Sequence, residues 1–307
     1  MVVLKYDIDV LENTLRRKGD LLDILLLDRT TKKNIIWATS SYEGEGKGFA
    51  TKNFIMPDLV TGRYGFLIQP RAAKSLAEQR KRTKDKAEVF TPLKIVDQIN
   101  KTVETSGLSN KDNWKEYVRE LKLEITCGEA PFMVSRYNPT AHTGKLITLN
   151  SRVGFLDKKL KMVSKYCDNK KEWLFWAKEA FKASYGYEWQ GDNVLLAREN
   201  LLYTLVDYYK AKFKSPPTIK VQEEFAEVIS WNIFQMDGLK YVAPMSCRHE
   251  YRIIPGKSTL FGEIPDTVEK YECEGCKYNR PQKHNGKYVK IMDWSKNKTI
   301  RFVDLVS

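Results

Sequence analysis

The segment from Leu121 to Ser135, LKLEITCGEAPFMVS, constrains the fold more than any other stretch of the chain. Its apolar start predicts a short buried strand with Glu124 near the carboxyl end. Cys127 and Gly128 predict a tight turn that leads into an apolar helix, and glycine lets backbone approach a ligand closely because it has no Cβ. Open α/β sheets bind ligands in the crevice beyond the carboxyl ends of their strands. The segment therefore predicts a ligand site on an α/β fold.

Two later segments show the same arrangement of a strand followed by an acid. Residues 185–187 predict a short strand that ends in Glu188 and leads into a helix from about Asp192, and residues 232–239 predict a strand that ends in Asp237. In nucleotide-binding α/β sheets an acid at the end of the second strand accepts hydrogen bonds from ribose hydroxyls, and a carboxylate has an oxygen for each of two adjacent donors. The alternatives are an exposed loop glutamate and an ordinary Asp-Gly turn.

The spacing of apolar residues predicts helices between these segments, over 152–165 and 171–183. In the second of them Trp173 and Trp176 share one face with small apolar residues, so we expect both in the core. Residues 219–231 predict an amphipathic helix, or a helix and a strand.

The densest charge run, residues 71–88, contains seven basic residues and has helical propensity. It is either a solvated helix face or a helix that contacts phosphates, since Lys and Arg supply the sequence-independent part of DNA affinity. The segment that contains Phe90, Thr91 and Pro92 then ends this helix, because a residue before proline disfavours the helical conformation. Pro92 can also open a further helix from Leu93, with Thr91 as its cap.

Whole-chain composition indicates the kind of partner. The chain has 52 Lys and Arg against 39 Asp and Glu, a formal net charge of +13. This balance suits a polyanion, or it is simply a basic solvated surface. Five cysteines, an odd number, argue against a secreted disulfide framework, and no apolar run reaches the roughly 18–20 residues of a membrane helix. With no signal-peptide pattern at the N-terminus, we expect a cytoplasmic protein that binds DNA and no membrane.

The cofactor segments of one class of adenine-N6 DNA methyltransferases resemble four segments of this chain in the same order. EITCGEAPFM is similar to the family's DPACGSGxFL segment, with Ala130 in place of the second glycine; the matching residues are Glu124, Cys127, Gly128, Phe132 and Met133. The segment before it is similar to G-x-F-x-T-P, which in the family closes over the methionine end of S-adenosylmethionine. The resemblance assigns that role to Phe90, Thr91 and Pro92, with Ala87 or Glu88 where the family has glycine.

The third and fourth matches follow at residues 184–202 and 232–239. The former resembles the family's YGxE strand end and A-R-x-N-L helix, in Tyr185, Gly186, Glu188, Ala197, Arg198, Asn200 and Leu201. The latter resembles NIxxGDxL, with Met236 in place of glycine. The resemblance implies that Glu188 holds the ribose and that Asp237 accepts the adenine amino group. It also implies a Rossmann-like methyltransferase sheet over 87–240, an N-terminal α+β extension with the basic helix at 1–86, and a loop-rich subdomain at 241–307.

The family's catalytic Asn-Pro-Pro-Tyr motif occurs nowhere in the sequence. Residues 300–306 resemble the strand that precedes it, and the sequence ends where the motif would begin. Catalytic residues are therefore not assigned. The resemblance implies either an enzyme with an unconventional active site or one whose motif comes from a partner chain.

A cluster of metal-ligating residue types lies between the segment at 232–239 and the segment at 300–306. Cys273 and Cys276 form a CxxC pair, which is half of a tetrahedral zinc site, and Cys247 with His249 or His284 would complete it. Reduced cysteines in a loop-rich region are the alternative. The candidate ligands are Cys247, His249, Cys273 and Cys276, with His284 left open as the fourth.

Three functions remain open at this point. The first is an S-adenosylmethionine-dependent adenine-N6 DNA methyltransferase or the modification subunit of a restriction-modification system. The second is a catalytically inactive relative that binds DNA or a protein. The third is a different enzyme on the same half-fold, although no persuasive nuclease arrangement is present.

Overall fold

The computed structural model describes residues 19–86, 89–104, 113–141, 145–256, 258–259, 262–263 and 265–306. Its helices are α1 (Gly19–Leu26), α2 (Leu76–Lys86), α3 (Leu93–Thr102), α4 (Trp114–Arg119), α5 (Phe155–Tyr166), α6 (Lys170–Lys182), α7 (Gly191–Phe213), α8 (Ile219–Asn232) and α9 (Glu274–Tyr278). Its strands are β1 (Leu27–Asp28), β2 (Lys33–Asn34), β3 (Lys122–Glu124), β4 (Ser184–Glu188), β5 (Ile233–Gln235), β6 (Glu250–Ile254), β7 (Ser258–Thr259), β8 (Gly262–Glu263), β9 (Thr267–Tyr271), β10 (Lys290–Asp293) and β11 (Lys298–Arg301). Ala87 and Glu88 lie outside the described residues.

A parallel three-stranded sheet positions the candidate site. β3, β4 and β5 pair in that order, with Leu123 opposite Tyr185 and Tyr187 opposite Phe234. Helices α5 and α6 connect the first two strands, and α7 and α8 connect the second to the third. The other sheets in the described part of the chain are two-stranded and antiparallel. The chain is therefore α/β, as the sequence predicts, and its parallel sheet is small.

Helix α7 lies at the centre of the main hydrophobic core. Its side chains from Gly191 to Leu205 are all buried, as expected for a helix surrounded by protein. Trp173 and Trp176 of α6 belong to the same core, which confirms the expectation from their spacing. Helix α8 begins at Thr218, whose side-chain oxygen accepts a hydrogen bond from the N–H of Val221. Such a cap satisfies a backbone donor that the first turn leaves unpaired.

The N-terminal segment shares this core. Leu21 and Leu25 of α1 are buried in the same cluster as Leu195 of α7. The side-chain amide of Gln235, at the end of β5, accepts a hydrogen bond from the N–H of Ile36 (2.9 Å) and donates one to its carbonyl (2.8 Å). These two bonds hold the backbone around Ile36 beside the carboxyl end of the sheet.

The last residues form a hairpin and do not add a strand to the parallel sheet. The segment 300–306 begins in β11, which pairs antiparallel with β10, and continues as a short 3-10 turn at Phe302–Leu305. Ile291 and Phe302 pack with Tyr187 and Phe234 on one face of the parallel sheet. The strand that the resemblance implies over 300–306 therefore forms only as far as Arg301, because the rest of this segment covers a face of the parallel sheet instead of extending its edge.

The helix expected directly after Cys127 and Gly128 does not form either. Three residues in this loop have positive φ angles: Thr126 (45°), Gly128 (53°) and Ala130 (62°). Left-handed residues interrupt a right-handed helix. The chain turns back through this loop, and the next α-helix in the described residues is α5, which begins at Phe155.

Candidate functional site

A cavity of about 620 Å³ lies at the carboxyl ends of β3 and β4. The candidate cofactor residues that line it are Phe90, Thr91, Glu124, Cys127, Gly128 and Glu188. Backbone and side chains of the N-terminal segment complete the wall, including Thr39, Ser40 and Thr51. The structure therefore brings together residues that are up to 149 positions apart, between Thr39 and Glu188. This is the crevice where open α/β sheets bind ligands.

Glu124 is a buried carboxyl group that belongs to the turn as well as to the cavity. Its Oε1 accepts a hydrogen bond from the N–H of Phe132 (3.2 Å), and its Oε2 accepts one from the N–H of Met133 (2.9 Å). The pKa of Glu124 is raised to about 8. Burial is the main cause and the nearby charge of Glu188 adds to it, whereas these two hydrogen bonds act in the opposite direction. A positively charged ligand group in the cavity would favour the ionised carboxylate.

Glu188 fastens the loop after β3 to the end of β4. Its Oε2 accepts a hydrogen bond from the N–H of Gly128 (2.9 Å), and its Oε1 accepts from the N–H groups of Trp189 (2.9 Å) and Gln190 (3.1 Å). Burial raises the pKa of Glu188 above its usual value. A carboxylate oxygen can accept two hydrogen bonds, so Oε2 keeps an acceptor position for a ligand hydroxyl.

Gly128 is favoured at its position by both conformation and space. Its φ of 53° lies in the left-handed region, and a Cβ there would stand 3.3 Å from the ring of Phe90. The guanidinium of Arg71 lies over this ring, 5.0 Å from its centroid. Phe90 therefore has a cation over its ring and a close approach to the loop at Gly128. Thr91 also lines the cavity, whereas Pro92 is the N-cap of α3 and is not among the lining residues.

The carboxyl end of β4 and the loop after β3 approach each other closely at Gly186 and Cys127. A Cβ on Gly186 would lie 2.4 Å from Cε of Met133 and 3.2 Å from Sγ of Cys127. A larger residue at this position of β4 would force at least the end of the Met133 side chain to move. Burial raises the pKa of the Cys127 thiol well above its usual value, so this cysteine is a neutral packing group and not a thiolate nucleophile.

Several cavity residues were not found from the sequence. Trp189 and Gln190 directly follow Glu188, and the indole N–H of Trp189 donates to the carbonyl of Ala38 (2.8 Å). The side-chain Oε1 of Gln190 is buried and has no hydrogen-bond partner among the described residues. It is therefore an acceptor available to a donor in the cavity. The polar segment that contains Thr39 and Ser40 carries no sequence signal of its own, because its position depends on the distant Gln235.

Asp237 does not join the other candidates. Its carboxylate accepts hydrogen bonds from the N–H groups of Leu239 (3.0 Å) and Lys240 (3.2 Å), and it lies 3.7 Å from the ammonium of Lys240. This is a local turn stabilised by an aspartate side chain. Asp237 is absent from the residues that line the cavity.

The family's other matching positions have structural roles. The Arg198 guanidinium is buried and donates to the carbonyls of Leu25, Leu27, Ser230 and Ile233. The amide of Asn232 donates to the carbonyls of Phe181, Lys182 and Ser184. These two side chains join the N-terminal segment, α6 and α8 to the sheet. Both satisfy carbonyls at element ends that lack a partner within the element.

Cys247, Cys273, Cys276 and His284 form a cluster outside the cavity. The sulfur atoms lie 3.6, 3.7 and 3.6 Å from Nδ1 of His284, and all four ligand atoms are within 4.8 Å of one another. A tetrahedral centre with the usual Zn–S and Zn–N bond lengths would separate sulfur from nitrogen by about 3.6 Å. The donor set and its spacing therefore fit a four-coordinate metal ion.

Surrounding residues support this cluster. The N–H of Asn285 donates to Sγ of Cys273 (3.3 Å), a contact that stabilises a thiolate. A Cβ on Gly275 would lie 2.6 Å from the ring of His284, so glycine lets the histidine approach the CxxC turn. The cluster contains His284 and not His249, which is exposed. The sequence had left the choice between these two histidines open.

Comparison of the chain with protein-family models, curated proteins and solved structures finds no match. Among the described residues, no helix combines the length and the apolar composition that crossing a membrane requires.

Proposed function

We propose that the cavity binds S-adenosylmethionine and that the protein is an adenine-N6 DNA methyltransferase or the modification subunit of a restriction-modification system. The observation that carries this proposal is the convergence of Phe90, Glu124, Gly128 and Glu188 at adjacent strand ends. Those positions are the ones at which the sequence resembles the cofactor segments of that family. A Rossmann-like sheet, of which β3, β4 and β5 would be one half, is part of the same proposal.

The lining residues suit the cofactor's chemical groups. Glu188 offers an acceptor to ribose hydroxyls, and the aromatic rings of Phe90 and Trp189 offer apolar surfaces to a base. Gln190 offers the unpaired acceptor Oε1 to an amino group. Glu124 offers a carboxylate to a positively charged group, and it is an acid that such a charge would ionise. When bound, S-adenosylmethionine supplies an activated methyl group.

The acceptor side of the reaction would depend on a second chain. The outer edge of β3 has no strand partner in the described part of the chain, and Leu121 and Leu123 are exposed on one face of the chain at this edge strand. We propose that a partner protein adds a strand at this edge and supplies the Asn-Pro-Pro-Tyr motif that this sequence lacks. Exposed apolar edge strands are ready templates for such pairing.

A catalytically inactive DNA- or protein-binding accessory protein is the second candidate. The observation that favours it is the position of Asp237, which lies away from the cavity although the resemblance assigns this acid to the cofactor.

We also propose that the cluster of three cysteines and His284 holds a structural zinc ion. Four protein ligands leave no open coordination position, which is typical of structural and not catalytic zinc. The ion would join the loop at Cys247 to helix α9, and it would stabilise a region that has little apolar core of its own.

Equilibrium dialysis with S-adenosylmethionine, and in parallel with S-adenosylhomocysteine, tests the cofactor proposal. Saturable binding of both compounds is expected. No binding of either up to about 1 mM, a free energy of about −4 kcal/mol, would contradict it. Transfer of a labelled methyl group to unmethylated DNA, with and without candidate partner chains, then distinguishes the enzyme from the inactive accessory protein.

A further inference from the structure

A second cavity, of about 420 Å³, lies beside the candidate cofactor cavity, and Ser40 lines both of them. Helix α2 and the residues before it form one wall, with Lys74, Lys81 and Arg82 facing it. From its sequence this basic segment is either a solvated helix face or a helix that contacts phosphates. In the fold it lies next to the first cavity.

Two of the charges in this cavity neutralise each other. Arg82 is buried and donates from Nη2 to Oδ2 of Asp192 (2.7 Å), and the hydroxyl of Tyr42 donates to the same oxygen (2.8 Å). Burial acts to raise the pKa of Asp192, but the positive charges of Arg82 and Lys74 outweigh it and hold that pKa below its usual value. Asp192 is therefore ionised and compensates for one cation.

Lys74 is the cation that remains. It is 6% exposed, and its Nζ has no hydrogen-bond partner among the described residues. Of the acids that line the cavity, Glu78 and Asp85 are exposed, and Oε2 of Glu78 accepts hydrogen bonds from the N–H and hydroxyl of Ser75. Buried charges are normally paired and hydrogen-bonded. The Lys74 ammonium therefore has three donors without a hydrogen-bond acceptor among the described residues.

We propose that this cavity binds a backbone phosphate of a nucleic acid through Lys74, with Lys81 at its rim. A phosphate oxygen would supply both the negative charge and the acceptors that the Lys74 ammonium lacks. The net charge of +13 favours a polyanion over a free metabolite. That this strand is the methyl acceptor rests on the function proposed above, because the shared residue Ser40 would place the phosphate next to the cofactor.

Fluorescence anisotropy with a labelled duplex oligonucleotide, measured over a series of NaCl concentrations, tests the proposal. Lys74→Met keeps most of the side-chain volume and removes the charge. We expect it to lower affinity about tenfold and to reduce the slope of log K against log salt by about 1. Lys171→Met, which removes an exposed lysine of α6, is the control and is expected to bind like the unmodified protein.

Thermal unfolding separates this effect from a folding defect. Removal of an unpaired buried charge leaves the melting temperature unchanged or raises it, whereas a misfolded variant melts earlier. A Lys74→Met protein that binds the oligonucleotide as tightly as Lys171→Met would overturn the proposal. So would a Lys74-dependent affinity for inorganic phosphate without any effect on the oligonucleotide, since the site would then belong to a free anion. Dialysis of Lys74→Met with S-adenosylmethionine shows separately whether the cofactor cavity is intact.

Discussion

Two buried glutamates at neighbouring strand ends both accept hydrogen bonds from backbone N–H groups. Glu188 accepts three backbone hydrogen bonds that fix the loop after β3, and Glu124 accepts two from the turn that follows. Each carboxylate thus builds the cavity as well as lining it. Substitutions at these residues will change stability and ligand binding together. The pH dependence of stability can be measured without a ligand, so it tests the structural role of each carboxylate separately.

Glu124 is expected to make the protein less stable as pH rises. The folded-state pKa of about 8 lies above the ordinary value of 4.5, so between these values the folded state binds more protons than the unfolded state. The free energy of unfolding should therefore fall from about pH 4.5 to about pH 8, by up to about 1.4 kcal/mol per pH unit. Urea unfolding at several pH values measures this slope. Glu124→Gln should reduce it, and an identical slope in both proteins would contradict the burial argument.

Gly128 offers a second test at the level of single residues. Gly62 has a similar φ of 56° but open space at its Cβ position, whereas a Cβ on Gly128 contacts the ring of Phe90. Both Gly→Ala substitutions should lower the free energy of unfolding by about 1–2 kcal/mol, since each places an L-residue in the left-handed region. Only Gly128→Ala should also weaken cofactor binding. Equal binding by the two variants would show that Phe90 has no part in the site.

The sequence identified most of the cavity's acids but not their surroundings. Glu124 and Glu188 follow short apolar strands, and their convergence follows from the parallel sheet. The placement of Asp237 could not be predicted, because a local turn with Leu239 and Lys240 competes with the cavity for the same carboxylate. No sequence pattern indicated Gln190 as a site residue, because its interest depends on a buried Oε1 atom without a hydrogen-bond partner among the described residues.

At the scale of elements, the spacing of apolar residues predicted the helix spans well where one face of the helix is buried. Helices α5 and α6 lie within a few residues of the spans that the apolar spacing predicts. The helix expected after Gly128 failed, because Ala130 adopts a positive φ that its residue type does not suggest. The strand expected at 300–306 forms only as far as Arg301 because the later apolar residues cover a sheet face, and the same alternation also suits an edge strand.

The cluster of Cys247, Cys273, Cys276 and His284 lies in a region with few buried apolar side chains. Strands β6 and β9 pair with each other and are exposed along their whole length. A bound ion would therefore supply stability that packing does not.

His284→Ala should remove the metal, and His249→Ala should not. His249 is two residues from Cys247 but lies outside the cluster, so it is a matched control. Elemental analysis of the purified proteins should find about one zinc per chain in the His249 variant and much less in the His284 variant. Earlier thermal unfolding of the His284 variant should accompany the loss. Equal metal content in both variants would contradict the assignment of the fourth ligand.

In the described residues, α1 and α7 share the main hydrophobic core, and two cavities have Ser40 in common in their walls. The N-terminal segment contributes α1 to that core and Thr39 to Thr51 to the cavity walls, so its removal would open the site. The sequence predicted the α/β class and a basic surface. It could not predict that a segment more than 150 residues from Glu188 along the chain would be held in place by Gln235, because that contact depends on the folded sheet.

Titration calorimetry with S-adenosylmethionine on three proteins tests the central claim most directly. The unmodified protein should bind saturably, Glu188→Gln should lose at least about tenfold in affinity because a charged acceptor is removed, and Asp237→Asn should bind like the unmodified protein. Asp237 is the matched control, since it is also an acid that follows a parallel strand but lies outside the cavity. Unchanged affinity in Glu188→Gln would contradict the claim that this cavity is the cofactor site.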